Sequence, residues 1–281
     1  MKAFVIDAFT DRPFRGNPAA VCLPESLLTD DEMLSIAREF NLSETAFIAR
    51  LAPRGAFSIR YFSPKMEIPL CGHATLAAAR AVHTVEGVDE ARFTTVQGLD
   101  LVARISADRI SMLFPDYGLE PATAPAALLA ALGIETVRNT AFNRETKILL
   151  LEIATARELA DLKPDFVALQ RAHGSINGVL VTAASGTDGY DFHSRYFWPW
   201  SGTNEDPVTG GTHTFLTRYW AERLGKTRMR SFQSSPRSGF MDVELKDGHV
   251  EITSQAIIVL EGRMPTQGWR LETAPGERRF E

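Results

Sequence analysis

The stretch "PLCGHATLAAARAV", Pro69 to Val82, sets a cysteine, a glycine and a histidine directly ahead of a run built almost wholly of Ala, Leu and Val. Much further along the chain, "DPVTGGTHTFLTRYW", Asp206 to Trp220, opens in a related way. Ala74 to Val82 is apolar nearly all round, with Thr75 and Arg80 as the exceptions. A helix without a polar face is buried on every side, and a sheet wrapped round it satisfies that demand. The second run carries Phe215, Leu216, Tyr219, Trp220 and Leu224 and is expected to stop at Gly225, a residue suited to the left-handed backbone that ends helices.

Working outward, the flanks of these two runs also match. "RYFSP" at Arg60–Pro64 returns as "RYFWP" at Arg195–Pro199. Gly72 is matched with Gly211, so the second copy carries a small insertion near "SGTNE". Ahead of the paired strands lie "SLLTDDEMLSIAREFNLSETAFIA" and "ADLKPDFVALQRAHGSINGVLVTA", each read as helix, turn, strand. Behind the paired helices, hairpins are expected around the polar turns "SAD" and "KDG". Elements recurring in one order point to two copies of one fold related by a rough two-fold axis. Local signals agree. "TDDE" at Thr29–Glu32 is a capping box, followed by Met33, Ile36, Ala37 and Phe40 on one helical face. "AFSIRYF" and "GVLVTA" are strands by their β-branched and aromatic content.

A helix start leaves backbone N–H groups free and carries partial positive charge, and glycine lets an anion approach closely. Two such starts facing one cleft would hold a carboxylate, or an enolate formed from one. Three readings of "CGHAT" stand beside each other. A metal site needs three or four ligands, and Cys71 and His73 have no CxxC or HxxxH companion. A nucleophilic Cys–His pair needs convergence and an orienting third group. The reading preferred here takes Cys71 as a buried small residue and His73 as functional. Glu44, where a polar turn becomes an apolar strand, is the candidate general base or acid, because burial there would raise its pKa. The matching "SINGVLVTA" has no carboxylate; the second half offers Asp206 just before its helix instead. The copies are alike in scaffold and unlike in chemistry. That suits moving a proton between different carbons better than a symmetric two-base inversion.

Bulk composition narrows the classes. The 281 residues allow one large domain or two ordinary ones, and 44% hydrophobic with 23% charged residues is usual for a globular protein. A net charge of −5 supplies no attraction to nucleic acid or an acidic membrane, and neither partner is expected. "MKAFVIDAFTDRPF" has an apolar run broken by Asp7 and is read as a strand rather than a signal-peptide core. Two cysteines, Cys22 and Cys71, are too few for a disulfide framework, and the cytoplasm is the expected compartment.

Together, "DAFTDRPFRGNPAAVC", "NLSETAFI", "RYFSPKMEIPLCGHATLAAA", "SRYFWPW" and "EDPVTGGTHTFLTRYW" resemble the PhzF family, named for phenazine biosynthesis, within the diaminopimelate epimerase-like superfamily. The resemblance implies an α+β fold of two similar domains, each a barrel-like β-sheet around a central α-helix, with the active site between them. It implies a cofactor-free isomerase without a metal, usually a homodimer, acting on a small carboxylate; the best-known member shifts a hydrogen within dihydro-3-hydroxyanthranilate. Carried over, Glu44 matches the family's catalytic glutamate, His73 the histidine of "GHA" and Asp206 the aspartate of "DPVTG". Gly72, Gly211 and Thr212 fall at the helix starts that would hold the substrate, and Asn17 of "GNP" resembles a cleft-lining residue. Where the family commonly reads "DPVTGSAH", this chain has Gly211 for the serine and a hydroxyl one place on, at Thr212.

The expected boundaries are 1–116 and 117–281, divided near "FPDYGLEPATAP", with the first domain open to completion by the C-terminal tail "TQGWRLETAPGERRFE". Two other functions stay open at this stage: an amino or hydroxy acid racemase or epimerase using Cys71, and a catalytically silent binding protein on the same scaffold.

Overall fold

The computed structural model describes residues 1–186 and 188–265. The tail segment 266–281, a candidate for crossing back, lies outside them. The first half comprises β1 Lys2–Ala8, β2 Asn17–Leu23, α1 Asp30–Phe40, β3 Glu44–Arg50, β4 Ala56–Phe62, β5 Glu67–Ile68, α2 Gly72–Glu86, β6 Glu90–Thr95, β7 Asp100–Ser106 and β8 Arg109–Pro115. The second comprises β9 Glu120–Pro121, α3 Ala126–Leu132, β10 Asn139–Asn143, β11 Ile148–Glu152, α4 Ala156–Asp161, α5 Phe166–Ala172, β12 Gly178–Ala184, β13 Phe192–Trp198, β14 Thr203–Asp206, α6 His213–Leu224, β15 Arg228–Gln233, β16 Gly239–Lys246 and β17 His249–Arg263.

Strand pairing repeats in kind. In the first half β1–β2 is antiparallel, β2–β3 parallel, β3–β4 antiparallel, β4–β6 parallel, and β6–β7–β8 antiparallel. In the second, β10–β11, β11–β12, β12–β13, β13–β15 and β15–β16–β17 follow the same sequence of directions. β17 is long and serves both halves. Its first part pairs with β16 and β8, His249 opposite Pro115 through Gln255 opposite Arg109. Its second part pairs with β1, Ala256 opposite Ala8 through Arg263 opposite Lys2. This closes an eight-stranded barrel, β1–β2–β3–β4–β6–β7–β8–β17, and leaves none of its edges free. The short β9, which opens the second half, lies beside β10.

α2 runs inside that barrel. Its residues 73–79, 81 and 82 are all buried, leaving Arg80, whose guanidinium reaches the carbonyls of Ala256 and Asp108. Small side chains let the helix fit a closed ring of strands. α6 fills its wider enclosure with aromatics: Trp220 stacks on Phe192 with ring centroids 5.6 Å apart and donates its indole N–H to Thr182 Oγ1 at 2.9 Å. α1 shows the expected capping box at Thr29 and Glu32, and α6 ends on Gly225 at φ 64°. The hairpins turn at Ala107–Asp108 and Asp247–Gly248, with Ala107, Asp247 and Gly248 at positive φ. The stretch before β12 divides into two short helices where one was expected, because Pro164 interrupts it.

Each copy of "RYF" carries the same ion pair. Arg60 forks onto Glu67 with two bonds of 2.7 Å, and Arg195 onto Glu205 with two of 2.8 Å. The partners are separated by 7 residues in the first half and 10 in the second, which sizes the insertion at three. Strand register then corrects the alignment of the helix starts. Tyr61 faces Ile68 as Tyr196 faces Asp206, so Ile68 matches Asp206, and Gly72 matches Gly210 rather than Gly211. His73 therefore matches Gly211, and Cys71 matches Thr209. By the same register Thr45 opposite Phe62 matches Val179 opposite Phe197, which sets Glu44 against Gly178.

Candidate active site

The parallel pairing of β2 with β3, Ala19 beside Glu44, brings Asn17 and Glu44 to one end of the first barrel. The loop from β5 into α2 delivers Cys71 and His73 to the same end. His73 Nε2 lies 3.2 Å from Glu44 Oε2, with both side chains largely buried. Cys71 Sγ is 3.3 Å from His73 Nδ1. From the second half, β14 delivers Asp206. Asn17 Nδ2 donates to Asp206 Oδ1 and to the Val208 carbonyl, each at 2.9 Å. Thr209 Oγ1 donates to Asp206 Oδ2 at 2.5 Å, and Gln233 Nε2 to the Asp206 carbonyl at 2.7 Å. The two bonds from Asn17 tie the halves together at the site.

Burial dominates the electrostatics. It pushes Glu44 up to about 7, reinforced by the negative charge of Asp206 and offset by the Cys71 thiol. Burial likewise pushes Asp206 up to about 7, against hydrogen bonds from Thr209 and Asn17 that favour its ionised form. His73 is pushed down to about 4 by burial, so near neutral pH it is an uncharged imidazole. The Cys71 thiol is raised well above its ordinary range, first by burial and then by Glu44, with Asp206 adding to it. Two carboxyls from opposite halves thus titrate near neutrality about a protonated thiol and a neutral imidazole.

A carboxylate oxygen of Glu44, the Cys71 sulfur and a His73 nitrogen lie within 4.8 Å of one another. His73 Nε2 stands beside the carboxylate and its Nδ1 faces the Cys71 sulfur, so the three groups form one buried polar cluster.

Gly72 is the first residue of α2, and no side chain caps that helix. Gly210, Gly211 and Thr212 form the turn before α6, with His213 N bonded to Gly210 O at 3.0 Å. Among the described residues, the N–H groups of Gly72, Gly211 and Thr212 have no backbone acceptor in turns or caps. Gly211 is exposed, and a Cβ there would meet nothing within 4 Å. Thr212, by contrast, is fully buried, and its hydroxyl is bonded to the Thr209 carbonyl at 2.9 Å. The sequence places Thr209 near the position that matches Cys71, and its bond to Asp206 emerges only in the structure, as does the part played by Gln233. Thr209 stood in the quoted "DPVTG", three residues after the acid it caps; Gln233 carried no local signal, since strand pairing alone brings it there.

Two outer concavities, of about 500 and 610 Å³, are lined by groups such as Arg109 with Asp242 and Thr155 with Lys163, and hold none of these residues. The buried acids lie at the junction of the halves.

A barrel threaded by an apolar helix, doubled in one chain with acids at the seam, is the fold of isomerases and epimerases of the diaminopimelate epimerase type. The chain belongs to the phenazine biosynthesis-like family, PhzC-PhzF, whose model matches residues 6–262. It is 42% identical to a phenazine biosynthesis-like domain-containing protein of Rattus norvegicus, over 93% of this chain and 98% of that one. It is 41% identical to an uncharacterized isomerase of Pseudomonas aeruginosa, over 93% and 97%. A crystal structure of a PhzF-family protein from Enterococcus faecalis superposes with a TM-score of 0.86 at 36% identity, covering 93% and 97%.

Proposed function

We propose that this protein is a cofactor-independent isomerase that moves a proton within a small carboxylic acid. Glu44, as carboxylate, removes a proton from a carbon next to an unsaturated or carbonyl-like system. The free N–H groups at the two helix starts take up the developing negative charge. Glu44, or a relay including His73 and Asp206, returns the proton at another carbon. The observation that carries the reading is the pair of buried carboxyls, one from each half, both raised to about 7. A group titrating near the working pH is suited to both taking and giving a proton. The isomerase from Pseudomonas aeruginosa, similar over nearly its whole length, supports the class.

Racemisation with Cys71 as base draws no support from the site. Its counterpart in the second half is Thr209, and burial holds the thiol protonated. The test is a panel of small unsaturated carboxylates incubated with the protein in heavy water and followed by NMR. Wild type should exchange hydrogen at carbon, and Glu44→Gln should lose at least about two powers of ten in that rate while still binding. Undiminished exchange in the variant would remove Glu44 from the mechanism. Binding without exchange in wild type would favour the silent binding protein.

A further inference from the structure

The two halves treat the tyrosine of "RYF" differently. In the first, Glu44 occupies the start of β3, and Tyr61 turns its hydroxyl to Thr75 Oγ1 at 2.5 Å. In the second, the position of Glu44 is Gly178. A Cβ there would lie 2.5 Å from the Tyr196 hydroxyl oxygen and 2.5 Å from its ring edge. The Tyr196 ring thus covers the place where the matching half begins its acid side chain. The position of Thr75 is taken by His213, whose Nδ1–H donates to the Thr209 carbonyl at 3.1 Å and whose Nε2 accepts from Ser231 Oγ at 2.7 Å. His213 has no free nitrogen for the phenol. Tyr196 is 5% exposed, and its hydroxyl has no hydrogen-bond partner among the described residues. Its cross-strand neighbour is Asp206. Unlike Trp198 Nε1 and Thr217 Oγ1, the Tyr196 hydroxyl oxygen is not fully enclosed, so it meets water in the free protein and a ligand can take that water's place.

We propose that Tyr196 contacts the substrate, donating its phenol O–H to the substrate carboxylate from the wall of the cleft opposite Glu44. The phenol keeps its proton near neutrality, because burial and the Asp206 charge both raise it. It therefore acts as a donor and leaves base chemistry to Glu44. The assignment rests on the isomerase reading for the existence of a carboxylate substrate and adds the residue that receives it.

Benzoate serves as the probe. Calorimetric titration of wild type, Tyr196→Phe and Glu44→Gln should show affinity falling about tenfold or more in Tyr196→Phe alone, the loss expected for one hydrogen bond to a charged group. Thermal unfolding of Tyr196→Phe should match wild type. In wild type labelled with ¹³C at tyrosine Cζ, the Tyr196 resonance should shift on adding benzoate, a signature that a purely structural tyrosine lacks. Equal benzoate affinity in wild type and Tyr196→Phe, an unmoved Tyr196 resonance at saturation, or no benzoate binding to wild type would each overturn the assignment. Exchange surviving in Glu44→Gln would instead sink the isomerase reading, and it is scored in a separate measurement.

Discussion

Glu44 and Asp206 are held by unlike surroundings for like ends. Asp206 accepts from Asn17 and Thr209 and is still raised to about 7, so burial outweighs two donors. Glu44 stands beside a neutral His73 and a protonated Cys71, neither of which brings compensating positive charge. This has a consequence for stability. The folded-state pKa of Glu44 is about 7 against an ordinary 4.5, so the native protein keeps a proton that the unfolded chain releases. The associated stability is fully present below about pH 4.5 and is lost as pH rises through about 7. Two to three pH units at about 1.4 kcal/mol each place the loss on the order of 3 kcal/mol. Glu44→Gln carries no such titration. It should be more stable than wild type by roughly 1–3 kcal/mol at about pH 8, and the gap should close toward about pH 4.5. Urea denaturation at the two pH values measures this; a gap that widens toward acid would contradict the burial of an uncompensated acid.

Among the elements, the two central helices show how enclosure selects composition. α2 lies inside a ring of eight strands closed by hydrogen bonds, and Ala74, Ala77, Ala78, Ala79 and Ala81 are all fully buried. A leucine at Ala78 has nowhere to go. Ala78→Leu should cost about 1–3 kcal/mol through displaced neighbours, read as a lowered urea midpoint with an unchanged slope; a neutral result would mean that the barrel holds unfilled space. This much was legible in the sequence, because an apolar helix without a polar face demands a wrapping sheet. That Glu44 and His73 would come together was also legible, Glu44 from its place where a polar turn becomes an apolar strand and His73 from its place at a helix start, as Asp206 stands just before the other helix. The pairing of the helix starts was misread by one residue, Gly72 with Gly211 instead of Gly210. The glycines and threonines there look alike in sequence, and only the register of Tyr61 with Ile68 and of Tyr196 with Asp206 separates them. Tyr196 was invisible as a site residue for a related reason. Its sequence context repeats that of Tyr61, and the difference lies in Gly178 and His213, which are remote in sequence and adjacent in space.

For the molecule as a whole, the decisive feature is a strand shared between halves. β17 leaves the second half at Gln255 and completes the first barrel against β1. Pairing between residues some 250 positions apart leaves no local periodicity to read: completion of the first domain was expected from the tail 266–281, whereas the described strand that completes it is β17. The halves are also bound at the site: Arg237 reaches Asp7 at 2.7 Å and the carbonyl of Gly16 at 2.8 Å, next to the Asn17–Asp206 contact. We therefore expect residues 1–116 produced alone to lack a folded state, because β1 and β8 would each present an open edge and α2 would lose one wall of its enclosure. Such a fragment should show no cooperative urea transition and should aggregate. Adding residues 117–281 in trans should restore solubility, since they carry β17 intact. A fragment 1–116 that unfolds cooperatively by itself would show that the first half is self-sufficient, and the seam would then be a docking of finished domains, free to open for substrate without unpairing a strand.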